Sequence, residues 1–362
     1  MPPDRRLERQ AALRAAAEAD GLDGLLVTHL PNIRYLTGFT GSAALLLVRA
    51  DTVILISDFR YASQAPSEVG AAAQVEIDQR SVWERLGRVI NARSMASLGI
   101  ESHSLTVRDA ERVSSLTRGR VVPVAELVER LRVVKAPEEV AAIRAAAGLA
   151  QAALAEVLPG IRPGQTEREI GAALESALRR RGSEWHPFPT IVASGPRSAL
   201  PHARTSDRMV GVGELLLLDF GAQVDGYCAD LTRTVVVGAQ ADDRQRTVHE
   251  LVQTAQRRAI EHLRPGMPAR EGDALARDVI AARGFGEAFG HSLGHGLGLE
   301  VHEAPRLAPT SDTPLPPNAV VTVEPGIYFP GWGGVRLEDD VFLGSERTEC
   351  LSDGRTELLE LV

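Results

Sequence analysis

Cysteine is almost absent: only Cys228 and Cys350 occur in 362 residues. So few thiols exclude a disulfide framework and are expected of a protein kept in the cytoplasm. Basic charge is also in deficit. The net charge of −8 leaves no Lys/Arg stripe with which to follow a nucleic-acid backbone. No uninterrupted apolar run approaches the roughly 20 residues that span a bilayer, so neither nucleic acid nor membrane is expected as a partner. The opening stretch MPPDRRLERQAALRAAAEAD is charged and helix-like, with no apolar segment followed by a small-residue cleavage site. No repeat at a fixed short period is present, which argues against a solenoid.

What remains is a globular composition, 44% hydrophobic and 24% charged, in a chain long enough for two cores. Helical periodicity at residues 4–19, 61–67, 82–92 and 107–117 alternates with strand-like runs at 24–27, 45–48, 52–56 and 97–100, with a loop at Pro31-Asn32. Such alternation predicts a small α/β domain over residues 1–130. Asp58 and Arg60 read as an ion pair at a strand-to-helix corner. Lys135-Ala136-Pro137-Glu138 reads as a helix start, with Pro near the first turn. It opens a second domain, 131–362. There, helical patterns at 138–157, 166–181, 244–263 and 270–283 flank a strand-like run at 190–193, and residues 289–361 are rich in Gly and Pro.

Chemistry concentrates in this second part. LLLLDFGAQVDGYCADLTRTVVV, residues 215–237, reads as a β-hairpin with an Asp-Gly turn signal. With Val224-Asp225 as the loop, Asp219 lies directly opposite Asp230; with Asp225-Gly226 as the loop, the two acids are diagonal neighbours. Either register puts both carboxylates on one face, with Cβ atoms roughly 4.5 to 8 Å apart. Acids so close among apolar residues must share a proton, meet cations or hold metal. His291, His295 and His302 follow in a glycine-punctuated run unsuited to a helix. The glycines are expected to let the backbone approach a bound ion or substrate. Glu324 ends the apolar run VVTV, and Glu338 follows a Gly-rich turn. Four carboxylates and one imidazole suit Mn²⁺, Co²⁺, Fe²⁺ or Zn²⁺, and two divalent ions balance their charge. Cys228 reads as a small buried hydrophobe.

DFGAQVDGYCADLTRT, HSLGHGLGLEVHE, VVTVEPGIY and GGVRLEDD resemble the pita-bread metallopeptidases that cut Xaa-Pro bonds, the prolidases and aminopeptidases P. VTHLPNIRYLTGFTGSAA and LRVVKAPEEVAAIR resemble the N-terminal domain and connecting helix of that family. The resemblance implies an α/β creatinase-type N-terminal domain followed by an α+β pita-bread catalytic domain. It further implies two metal ions, Mn²⁺, Co²⁺ or Zn²⁺, about 3.5–4 Å apart around an activated water. Asp219 would chelate one ion, His295 and Glu324 the other, and Asp230 and Glu338 would bridge them. Glu324 would also be the general base. His202 and His302 would contact substrate and stabilise the tetrahedral intermediate, and His291 would line the proline pocket. Arg336 would orient Glu338 from behind. Small peptides with proline second are the implied substrates, and a homodimer the implied assembly. Arg306, after the last histidine, resembles the prolidase arginine that meets the carboxylate of a C-terminal proline. This favours dipeptides over the longer peptides that aminopeptidases P cut. A creatinase-like hydrolase does not use the metal quintet, and catalytically silent binding modules lack several of its members. The intact set counts against both.

Overall fold

Apolar strands too short to fold alone are buried here by helices on their flanks. The computed structural model describes residues 4–92, 95–352 and 356–362, and the chain divides into two units, Met1–Arg132 and Val133–Val362.

The first unit runs α1 (Arg6–Ala19), β1 (Gly24–Val27), α2 (Leu30–Thr37), β2 (Ala44–Arg49), β3 (Val53–Asp58), α3 (Gln64–Val69), β4 (Gln74–Asp78), α4 (Val82–Ala92), β5 (Ser97–Glu101), α5 (Val107–Leu116), β6 (Arg120–Val124) and α6 (Leu127–Val133). Its six strands form one mixed sheet in the order β4-β3-β2-β1-β5-β6. Leu86 and Ile90 of α4 and Val113 of α5 pack with Leu26, Leu47, Ile56 and Ile100 of the sheet. Three departures from sequence expectation have local causes. Pro31-Asn32 is the first turn of α2, not a loop, because Pro needs no N–H partner there and its fixed φ suits a helix start. The pattern at 61–67 becomes a 3₁₀ turn, Phe59–Tyr61, followed by α3. β6 was hidden by Pro123, which an edge strand tolerates because the missing donor faces away from the ladder. The Asp58–Arg60 pair is formed at 2.7 Å, and Asp58 also caps the 3₁₀ turn.

The second unit comprises α7 (Pro137–Val157), α8 (Glu167–Arg180), β7 (Ile191–Ser194), β8 (Glu214–Val224), β9 (Tyr227–Val237), α9 (Asp243–His262), α10 (Ala269–Ala281), β10 (Gly294–Gly296), β11 (Glu303–Leu307), β12 (Ala319–Val323), β13 (Gly326–Phe329), β14 (Gly333–Arg336), β15 (Asp339–Leu343), β16 (Thr348–Cys350) and β17 (Leu359–Leu361). The segment 137–160 is long and apolar enough, by length and composition, to cross a membrane. In the fold its alanine stripe, Ala146, Ala147, Ala150 and Ala153, is buried in the same core as Leu216, Leu218, Phe220 and Leu231 of β8 and β9. That sheet has the order β17-β9-β8-β7, and a second has the order β11-β10-β12-β15-β16. α9 and α10 bury Val248, Val252, Ala255 and Ile280 against Val321, Val323 and Val341 of the second sheet.

The hairpin closes with Val224 opposite Tyr227, so Asp225-Gly226 is the loop. Both of its residues have positive φ, 50° and 79°, as a type I′ turn requires. Asp219 therefore faces Thr232, Asp230 faces Gly221, and the two acids are diagonal neighbours.

Candidate metal centre

Five strands deliver the five side chains expected to chelate. Asp219 comes from β8, Asp230 from β9 and His295 from β10, while Glu324 follows the last residue of β12 and Glu338 precedes the first of β15. An isolated bridge between Thr232 and Glu338 brings the hairpin to the second sheet. Ligand atoms of Asp230, His295 and Glu338 all lie within 4.8 Å of one another. His295 Nε2 is 3.4 Å from Glu324 Oε1 and 3.9 Å from Asp230 Oδ2. The His295 Nδ1 atom is 3.0 Å from the Gly296 carbonyl, which fixes the proton there and leaves Nε2 free to ligate.

The electrostatics are those of a cation site. Oδ1 of Asp219 and Oδ1 of Asp230 are buried and find no hydrogen-bond partner among the described residues, a costly state for a carboxylate unless an ion meets it. Burial, then repulsion from Glu338, Asp219 and Glu324, raises the Asp230 carboxyl well above its ordinary range. Burial, then Glu324 and Asp219, does the same to Glu338. Burial lowers His295 to about 4, keeping its imidazole neutral. Acid oxygens beside a neutral imidazole fit divalent metal; Asp230, His295 and Glu338 are close enough together to hold it, and Asp219 and Glu324 stand beside them as the other candidates.

Arg336 is placed differently from expectation. Its Nη2 bonds Asp219 Oδ2, Nη1 donates to Tyr328 Oη at 2.9 Å, and Nε donates to Thr232 Oγ1 at 3.1 Å. Glu338 is held instead by the Thr232 hydroxyl, at 2.6 Å. Thr232 lies directly opposite Asp219 in the hairpin, so it stands between the guanidinium and Glu338. Thr232 and Tyr328 were not singled out in the sequence. Their signal was position: Thr232 shares strand parity with Asp230, and Tyr328 lies four residues beyond Glu324.

The glycines around His295 also have another purpose than the one expected. A Cβ at Gly294 would stand 1.9 Å from the Thr322 carbonyl oxygen, and one at Gly296 would stand 2.0 Å from that of Ala304. They admit neighbouring strands, not a ligand. Cys228 is buried, and burial pushes its thiol up to about 12, so it is an unreactive core residue.

The remaining candidates share one cavity of about 950 Å³, lined by His202, His291, His302 and Arg306 together with the acids, Phe188 and Ile191. His202 sits in the loop beyond the 3₁₀ turn Gly195–Ala199. The His302 ring lies 4.4 Å from that of His295, edge to face. His291 Nε2 is 2.9 Å from Tyr328 Oη and its Nδ1 is 2.8 Å from the Ser292 carbonyl. Since burial lowers its pKa to about 4, His291 offers the cavity a neutral ring with both nitrogens engaged. β10 and β11 pair with His295 opposite Arg306, so both side chains leave the sheet on the same face.

A pH signature follows. Without metal, burial is the main cause raising the Glu324 carboxyl from 4.5 to about 7. A folded value above the unfolded one means that the folded chain keeps a proton which the unfolded chain has released. That stabilisation is complete below the unfolded value near 4.5 and is lost as pH rises through about 7. Metal competes with the same protons. The rise in melting temperature produced by saturating Mn²⁺ is therefore expected to be larger at about pH 7.5 than at about pH 5.5. Calorimetry giving equal rises would contradict this.

A hairpin and a second sheet presenting buried acids and an imidazole to a peptide-sized cavity define a pita-bread metallohydrolase. Residues 141–345 match metallopeptidase family M24, residues 9–134 match the creatinase/prolidase N-terminal domain, and the chain belongs to that family. It is 33% identical to the Xaa-Pro dipeptidase of Pyrococcus horikoshii over 94% of this chain and 96% of the relative. A solved Xaa-Pro dipeptidase from Bacillus anthracis superimposes with a TM-score of 0.95 at 40% identity, covering 98% of this chain and 100% of the other. An X-Pro aminopeptidase from Thermotoga maritima gives 0.90 at 36%, covering 97% and 99%.

Proposed function

We propose that the protein is an Xaa-Pro dipeptidase that works with two divalent metal ions. The pairing of Arg306 opposite His295 carries the dipeptide reading, because it aims a guanidinium into the cavity from the strand next to the one that bears His295. An Xaa-Pro dipeptide ends in a carboxylate one residue past the scissile bond, and a guanidinium can grip it bidentately. The scissile nitrogen carries no hydrogen and its ring fixes φ, so recognition falls on the ring and the carboxylate. His291, with its nitrogens engaged by Tyr328 and Ser292, forms an apolar wall for the ring.

When bound, the ions supply a water acidic enough to attack at neutral pH and polarise the scissile carbonyl. Glu324 would act there as the general base that accepts a proton. His202 and His302, on the cavity wall, donate to the oxygen on which charge develops. Mn²⁺, Co²⁺ and Zn²⁺ all suit the donors. Free Cys228 and Cys350 support the cytoplasm as its place of work. A homodimer is part of the same proposal, and sedimentation at micromolar concentration showing only monomer would remove it.

The test uses Ala-Pro and Ala-Pro-Ala with wild type and Arg306→Ala. Wild type should cleave the dipeptide with clearly higher kcat/KM. The variant should lose about 1.5–3 kcal/mol of dipeptide transition-state binding, as for a hydrogen bond to a charged group, and little on the tripeptide. Faster tripeptide cleavage by wild type, or no dipeptide-selective loss, would make the enzyme an aminopeptidase P.

A further inference from the structure

Glu324 and Glu338 both sit just outside the ladder that should hold them. The pairing of β12 with β15 ends at Val323 opposite Asp339, one residue short of each acid. Their N–H groups bond elsewhere, Glu324 to the Leu293 carbonyl and Glu338 to that of Thr232. What fixes the adjoining carbonyls is a buried polar group on the opposite side of β15 from the cavity. There, successive strand residues alternate, so Glu338 faces the site and Asp339 faces away.

Asp339 is the hub. Its Oδ1 accepts from Arg233 Nη2 at 2.7 Å and from Ser352 Oγ at 3.0 Å. Its Oδ2 accepts from Gln256 Nε2, on α9, at 2.9 Å. Two of these partners, Arg233 and Gln256, then reach the main chain beside a chelating acid. Arg233 Nη1 donates to the Glu338 carbonyl at 2.6 Å and to that of Thr232 at 3.0 Å. Gln256 Nε2 also donates to the Val323 carbonyl at 3.3 Å, in the peptide that leads into Glu324. Asp339, Arg233 and Gln256 are all buried. A buried ion pair is a poor source of stability, since desolvation offsets most of its attraction. This one instead spends its hydrogen bonds on main-chain carbonyls where the β12–β15 ladder ends, next to both acids.

We infer that Asp339, through Arg233 and Gln256, is a positioning residue that holds Glu324 and Glu338 at the mutual spacing metal ligation needs. It touches neither ion nor substrate. The inference rests on the reading of those acids as metal ligands.

Two variants separate the tethers. Asp339→Asn keeps an acceptor for Arg233 but turns an amide toward Gln256, which must then rotate and release Val323. Gln256→Leu removes the Val323 tether and the bond to Asp339 Oδ2 but keeps the Arg233–Asp339 ion pair, so neither charge of that pair loses its counter-ion. Full-length protein stripped of metal is titrated with Mn²⁺ by calorimetry, and its thermal unfolding is followed without metal. Loss of an outer partner of a ligand costs roughly 10–100-fold in metal affinity. Asp339→Asn should weaken both ions by that amount. Gln256→Leu should weaken one ion by about tenfold and leave the other within about threefold, with some loss of metal-free melting temperature from the orphaned Asp339 Oδ2 and Val323 carbonyl. A merely structural role would lower the melting temperature and leave both affinities alone. Wild-type binding of two ions, with folded Gln256→Leu matching it at both, overturns the inference only. Failure of wild type to bind Mn²⁺ overturns the metal reading and the inference together.

Discussion

Asp230→Ala is expected to abolish peptide hydrolysis while leaving the fold intact. Asp230 stands among His295, Glu338 and Glu324, with ligand atoms of the first two within 4.8 Å of its own, so on the proposed two-ion reading its loss removes the group that would bridge them. The fall should exceed the roughly 10–100-fold that follows loss of an outer partner. Stability should move the other way. Burial and the repulsion of Glu338, Asp219 and Glu324 already penalise the charged Asp230, so the metal-free variant should melt no lower than wild type at neutral pH. Circular dichroism melts and Ala-Pro hydrolysis under saturating Mn²⁺ make the comparison. Activity within tenfold of wild type would sink the two-ion reading.

Gly296→Ala should be among the most damaging single methyls in the catalytic unit. The added carbon would lie 2.0 Å from the Ala304 carbonyl oxygen and 2.4 Å from its carbon. Backbone cannot rotate aside, so β10 and β11 must part and His295 must shift with them. The cost should reach or exceed the upper end of the about 1–3 kcal/mol typical of overpacking. Gly298→Ala meets only the Glu303 side chain, at 2.7 Å, and should cost less. Gly290→Ala has open space around it and should be near neutral. Thermal melts of the three variants settle the order; a Gly296→Ala protein that melts like wild type would refute the close-approach account.

The hairpin and its acids were legible because chemistry and geometry coincide in one short stretch. Leucines lead into Asp219, an Asp-Gly turn follows, and the period of two places Asp230 on the same face. The register was not legible, since it depends on which two residues occupy positive φ, and both options satisfy the hydrophobic pattern. β6 stayed hidden because Pro123 is unfavourable in a strand except at an edge, and edges are properties of the assembled sheet. Arg336 was placed at the site, but its direct bond to Asp219 was not legible and it reaches Glu338 only through Thr232, because a guanidinium reaches across strands to partners that sequence spacing does not reveal. Thr232 went unnoticed for the same reason: its hydroxyl matters only once Glu338 arrives from the other sheet. The glycine run was visible, while its purpose required knowing how closely β11 and β12 approach.

The five candidate chelating residues lie on or beside five different strands of two sheets, and the two sheets contribute them from distant parts of the chain. Such a centre is made almost wholly of contacts distant in sequence, which form late because loop-closure entropy must be met first. The unfolded chain offers an ion only scattered single carboxylates and imidazoles. Binding is therefore tied to the completed catalytic unit, and the ion acts on the equilibrium between folded and unfolded chains as a ligand of the folded form alone. Metal supply then sets how long the protein lasts as well as how fast it works, because each tenfold excess over the dissociation constant adds about 1.4 kcal/mol to the folded side.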